Sequence, residues 1–120
     1  MDLNHTIVPA KDKVASQQWF ARMMGLKCEA TTANFAPVRV NDTLVLDFDE
    51  RPELVHHHYA FHVSDQEFDE IFARVQTEGL VYGSGPHEGR HDMQVSNRHG
   101  GRGVYFDDPN GHSIELLTAL

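Results

Sequence analysis

Apolar and polar positions along this chain follow two periods, and the same succession of periods occurs twice. Residues 3–8 (LNHTIV) alternate as a short strand does. Residues 11–26 (KDKVASQQWFARMMGL) carry a helical pattern, with Asp12 near the start and Gly25 at the end. Extended segments follow at 35–40 and 43–49. The scheme then restarts. Residues 56–63 (HHHYAFHV) read as a strand, and Ser64-Asp65-Gln66-Glu67 reads as a capping box, each end's side chain reaching the other's backbone N–H. Phe68, Ile71, Phe72 and Val75 recur at helical spacing, and Gly79 closes that helix. Extended pieces are expected around 80–82, 93–97 and 103–107. Asp108-Pro109-Asn110-Gly111 is a turn, and 113–118 is a last strand.

The two halves agree in detail. His5 and His58 open equivalent strands 53 residues apart, and Asp12 and Asp65 stand at the same separation. Trp19-Phe20-Ala21-Arg22-Met23 is echoed by Ile71-Phe72-Ala73-Arg74-Val75 one residue out of step. The pattern predicts an α+β fold made of two βαβββ modules, the first about 1–52 and the second about 53–120, together one domain. A glycine-rich stretch, 83–103, separates the second helix from the last strands and reads as a functional loop around a short strand.

Alternation also sorts the side chains by face. His57, Tyr59, Phe61 and Val63 share one face of the second-half opening strand, expected against the helices. His56, His58, Ala60 and His62 share the other. In the same way His5, Glu115 and Asp47 fall on the face away from the helices, because Leu44, Leu46 and Phe48, then Ile114 and Leu116, make the apolar face. Imidazoles and a carboxylate gathered on a half-buried face are costly unless paired or bound to metal. Two histidines and one carboxylate, with positions left open for substrate, make the facial triad of non-haem iron sites and hold other divalent ions too.

Composition narrows the classes. Forty per cent of the residues are apolar and 23% charged, as in ordinary globular domains. The net charge of −8 and the lack of a Lys/Arg cluster argue against nucleic acid as a partner. No apolar run approaches a membrane span and no leader opens the chain, so a cytoplasmic protein is expected. The single cysteine, Cys28, excludes an internal disulfide framework and reads as a bystander. Nine histidines are many for 120 residues.

Three stretches carry a resemblance over nearly the whole chain: Asn4-His5-Thr6-Ile7, His58-Tyr59-Ala60-Phe61, and the run from Val104 through Asp107-Asp108-Pro109-Asn110-Gly111 to Glu115-Leu116. In these the chain resembles the vicinal oxygen chelate superfamily of glyoxalase I, extradiol dioxygenases, fosfomycin-resistance enzymes and bleomycin-binding proteins. The resemblance implies modules curled around a cavity and one divalent metal ion (Fe2+, Mn2+, Zn2+ or Ni2+) held by His5, His58 and Glu115. It implies a small oxygenated substrate that chelates the metal, and a homodimer in which His5 and the His58/Glu115 pair come from different subunits if modules pair between chains. Asp47 stands about where glyoxalases carry a further glutamate ligand, and serves as ligand or base. Tyr105, ten residues before Glu115, and His99, six before Tyr105, match dioxygenase acid–base positions; the dioxygenases' other histidine has no counterpart.

The favoured reading is a metal-dependent, dioxygenase-like enzyme with Tyr105, His99 and Asp47 in catalytic roles. A glyoxalase-type isomerase or lyase uses the same ligands. A bleomycin-type binding protein is disfavoured by the intact triad. A fosfomycin transferase is disfavoured because no arginine follows Glu115, although Arg90, Arg98 or Arg102 could substitute. His56, His62, His87 and His91 are expected to be solvated or peripheral, His57 a partly buried packing residue, and His112 a turn residue.

Overall fold

The computed structural model describes all 120 residues, and they form two compact units, Met1–Val55 and His56–Leu120. The α+β class is as expected.

The first unit contains β1 (His5–Ala10), α1 (Lys13–Met24), β2 (Ala36–Arg39) and β3 (Val45–Glu50). Its sheet runs β1-β3-β2, with β1 parallel and β2 antiparallel to β3. Asp12 caps α1 by accepting from the Ala15 N–H, and Gly25 ends it at φ +71°, a left-handed conformation that suits glycine. Val8, Ala10, Val38, Leu46, Phe48, Phe20 and Met23 are buried, and the rings of Phe20 and Phe48 meet at 5.7 Å. β1 starts and ends two residues later than the pattern predicts.

One expectation fails here. Only two strands follow α1, so this unit is βαββ. Where a third would run, a single bridge joins Cys28 to Val38. The intervening sequence, CEATTANF, offers no apolar alternation to bury. Instead the buried Gln17 side chain donates to the carbonyls of Glu29 (2.9 Å) and Pro37 (2.8 Å), satisfying backbone that a strand would have paired. Cys28 itself is exposed.

The second unit is a full βαβββ module: β4 (His58–His62), α2 (Asp65–Thr77), β5 (Tyr82–Gly83), β6 (Gly103–Asp107) and β7 (Ser113–Leu117). The order is β4-β7-β6-β5, with β4 parallel to β7 and the other pairs antiparallel. The capping box is complete, Ser64 accepting from the Glu67 N–H and Glu67 from the Ser64 N–H. Phe68, Ile71 and Val75 are buried, while Phe72 packs edge-on against Tyr82 at 5.0 Å. Arg102 locks the first turn of α2 to the entry of β6: it pairs with Asp65 and Asp69 and lies 4.3 Å from the Phe68 ring centroid.

Two further expectations are corrected. Residues 93–97 form no strand; Ser96 makes one bridge to Gly103, and Met93 sits at φ +58° with Asp92 folded back on Ser84. His57 is exposed, because β4 begins only at His58 and His57 precedes the alternation that would have turned it inward. No helix is long and apolar enough to cross a membrane.

Candidate active site

The chemistry-bearing residues of the second unit converge because of strand register. β4 lies beside β7 with His58 opposite Ser113 and Ala60 opposite Glu115. His58 and Glu115 are therefore diagonal neighbours on one face, and His58 Nε2 stands 2.9 Å from Glu115 Oε1. On the other side of β7, Tyr105 pairs directly with Glu115. Its ring tilts against that of His58 at 5.8 Å. Burial raises the Tyr105 hydroxyl above its usual pKa, the neighbouring Glu115 carboxylate raises it further, and Arg98 opposes both. At neutral pH Tyr105 is thus a neutral phenol beside a carboxylate, able to donate a hydrogen bond.

The turn before β7 fixes this register. Asp108 Oδ1 accepts from the N–H groups of Asn110 (2.9 Å) and His112 (2.7 Å), and Oδ2 accepts from the Asn110 side-chain amide (3.0 Å). His112 is fully buried and its Nδ1 accepts the His57 N–H at 3.0 Å, which places the ring proton of neutral His112 on Nε2. The turn therefore reaches across to the residue that precedes His58.

Two clefts flank the trio. One, of about 170 Å3, is lined by Arg98, His99, Tyr105, Glu115, Leu117 and neighbours. His99 is exposed and held at φ +63° in a short 3-10 turn, Arg98–Gly100. The other, of about 220 Å3, is lined by His56, His57, His58, His87, Arg90 and Ser113. The Ser113 hydroxyl is buried there without a hydrogen-bond partner. The remaining histidines do other work: His62 Nε2 contacts the Thr118 carbonyl at 3.2 Å, and His91 lies 4.0 Å from Asp107, which Arg90 also engages at 2.7 Å.

His5 and Asp47 belong to the first unit. Ile7 pairs with Asp47 in β1 and β3, so Asp47 is the diagonal neighbour of His5 on the same face. His5 is exposed and its Nδ1 meets Asn4 Oδ1 at 2.8 Å. No three His, Cys, Asp or Glu side chains gather into a preformed metal nest. The pair His58–Glu115 nevertheless fits two adjacent ligands of one ion. Bonds of about 2.0–2.2 Å at the right angle of an octahedral site put the donor atoms about 2.8–3.1 Å apart.

Sequence reasoning missed the roles of Arg98 and Ser96 in the first cleft and of Ser113 in the second. The first two sit in a loop without periodicity, which the Ser96–Gly103 bridge carries back to β6.

No family model matches the chain. Among solved structures, the oxidase ChaP-H2 is 41% identical over all of this chain and 94% of its own, with a TM-score of 0.94. The oxidase ChaP-H1 is also 41% identical, over 100% of this chain and 97% of its own, with a TM-score of 0.93. A curated relative, the glutathione transferase FosA of Serratia marcescens, is 27% identical across 95% of this chain and 78% of that protein. The chain belongs to the vicinal oxygen chelate superfamily, in the same family as these two oxidases.

Proposed function

We propose that this member of the superfamily is a divalent-metal-dependent, dioxygenase-like enzyme acting on a small substrate through two neighbouring oxygens. The observation that carries the reading is the His58 Nε2–Glu115 Oε1 pair at 2.9 Å with Tyr105 against both. The kinship with oxidases at 41% identity favours oxidative chemistry over the glyoxalase-type isomerisation that the same ligands would support. The likeness to FosA, at 27% identity, is weaker.

In this reading His58 and Glu115 hold one ion, Fe2+, Mn2+, Zn2+ or Ni2+, with His5 as third ligand. His5 would come from the same chain or from a second copy; in the latter case the protein is a homodimer. The Asn4 contact on His5 Nδ1 suits ligation through Nε2, since a second-sphere bond on one ring nitrogen aims the other. The metal, when bound, acts as a Lewis acid that stabilises an enolate or catecholate.

The chain's own residues do the rest. Tyr105, kept neutral by burial and by Glu115, donates to a substrate oxygen as negative charge develops there. His99, exposed at the cleft mouth, exchanges protons with substrate and solvent. Leu117, Ala119 and Pro86 line the same cleft and restrict water. Asp47 would serve as base or fourth ligand, a reading supported by its register beside His5.

Elemental analysis of untagged protein tests this, wild type beside His58→Ala and Glu115→Gln. The expected result is about one divalent ion per chain, lost in both variants. A wild type that stays empty after exposure to Fe2+, Mn2+, Zn2+ and Ni2+ refutes the enzyme reading and favours a binding protein.

A further inference from the structure

The first cleft has a charge imbalance that the metal reading does not use. Three basic groups line it, Arg98, His99 and Arg102, against one carboxylate, Glu115. Glu115 is engaged by His58. Arg102 is saturated by Asp65 and Asp69 at 2.9 and 2.7 Å. Arg98 differs. Its Nε donates to Ser96 Oγ at 3.1 Å and its Nη2 to the Ser84 carbonyl. Both acceptors are neutral, so they orient the guanidinium without compensating its charge. Nη1 is used by neither.

The cleft that holds this charge is lined by apolar surface from Leu117, Ala119 and Pro86 and by the Tyr105 ring, and it also contains Glu115. Arg98 lines the same cleft as Tyr105 and Glu115. On a chain of net charge −8, an oriented and unmatched cation in a small cleft is a site for an anion.

We propose that the substrate is an aromatic or enolic carboxylate, its vicinal oxygens directed to His58 and Glu115 and its carboxylate held by Arg98. This rests on the reading of His58 and Glu115 given above. Arg98 is a specificity-determining residue: it recognises the arm of the substrate remote from the bond that reacts. Its fork can give a carboxylate a directed, charge-assisted hydrogen bond, which a neutral analogue cannot receive.

The test is calorimetric binding to the Mn2+-loaded protein under anaerobic conditions, with 3,4-dihydroxybenzoate and catechol as probes. Wild type should bind the carboxylated probe about tenfold more tightly, the scale of one hydrogen bond to a charged group at an exposed arginine. Arg98→Gln should bring the ratio near one, whatever it does to the affinity for catechol itself. Arg98→Lys should restore part of the ratio, which loss of the loop's shape alone would not do. Equal binding of both probes by wild type overturns the proposal. So does a preference that survives Arg98→Gln. If neither probe binds the Mn2+-loaded protein, the chelation reading itself falls, and this inference falls with it.

Discussion

Removing the carboxylate of Asp108 tests whether the turn before β7 holds the His58–Glu115 register. Asp108 is 7% exposed and receives three hydrogen bonds, from the Asn110 and His112 N–H groups and the Asn110 amide. Asn110 and His112 are buried too, so water replaces the lost acceptor poorly. At about 1 kcal/mol for each bond, Asp108→Ala should destabilise the second unit by about 3 kcal/mol. Asp108→Asn keeps one oxygen for the two backbone donors and should lose about 1 kcal/mol. For a chain of this length, about 4 °C accompanies each kcal/mol, which puts the alanine variant roughly 12 °C below wild type. Thermal unfolding followed by circular dichroism reads the series, and metal stoichiometry should fall in the same order, because His112, at the end of the turn, stands three residues before Glu115. A shift below about 2 °C for the alanine variant would mean that solvent reaches the turn and that its hydrogen bonds do not set the register.

Two other expectations follow from particular side chains. Burial and the nearby Asp108 charge push the Tyr59 hydroxyl up to about 12. A raised pKa means stability that is whole below the unfolded value of about 10 and is lost as pH rises through 12; discounted for the half-exposed ring, this is about 1 kcal/mol, seen as a steeper alkaline loss in wild type than in Tyr59→Phe. In the first unit, Gln17→Ala removes two hydrogen bonds, although the Pro37 carbonyl keeps the Glu29 N–H, and should lower stability by about 2 kcal/mol in a denaturant titration, with Gln17→Met no better because it restores volume without the amide.

How much of this was legible in the sequence depends on whether a residue sits in a periodic segment. The capping box, the buried faces of β3 and β7 and the Asp-Pro-Asn-Gly turn were legible because each is a local rule: a spacing of two, a spacing of three or four, or a turn residue at its position. The missing third strand of the first unit was not, since the duplication argued for it while the residues after Cys28 had nothing to bury. His57 was misassigned for a similar reason: alternation was carried past the strand's real start. Arg98 was visible as a charge but not as an unmatched one, because its acceptors, the Ser96 hydroxyl and the Ser84 carbonyl, are set by the fold of a loop without periodicity.

The duplication itself goes further in space than in sequence. Leaving out β5, the order β4-β7-β6 repeats β1-β3-β2 with the same parallel and antiparallel senses. Within it, His5 relates to Asp47 as His58 relates to Glu115: each histidine opens an edge strand, and each carboxylate pairs with the residue two further on. The difference is one methylene. Glu115 spans the diagonal to its imidazole, whereas His5 turns to its neighbour Asn4. The first module thus keeps the frame of a histidine–carboxylate pair with a side chain too short to close it. That leaves the His5 ring held by Asn4 and not by a carboxylate of its own sheet, which is the arrangement that the proposed role of His5 as a ligand calls for.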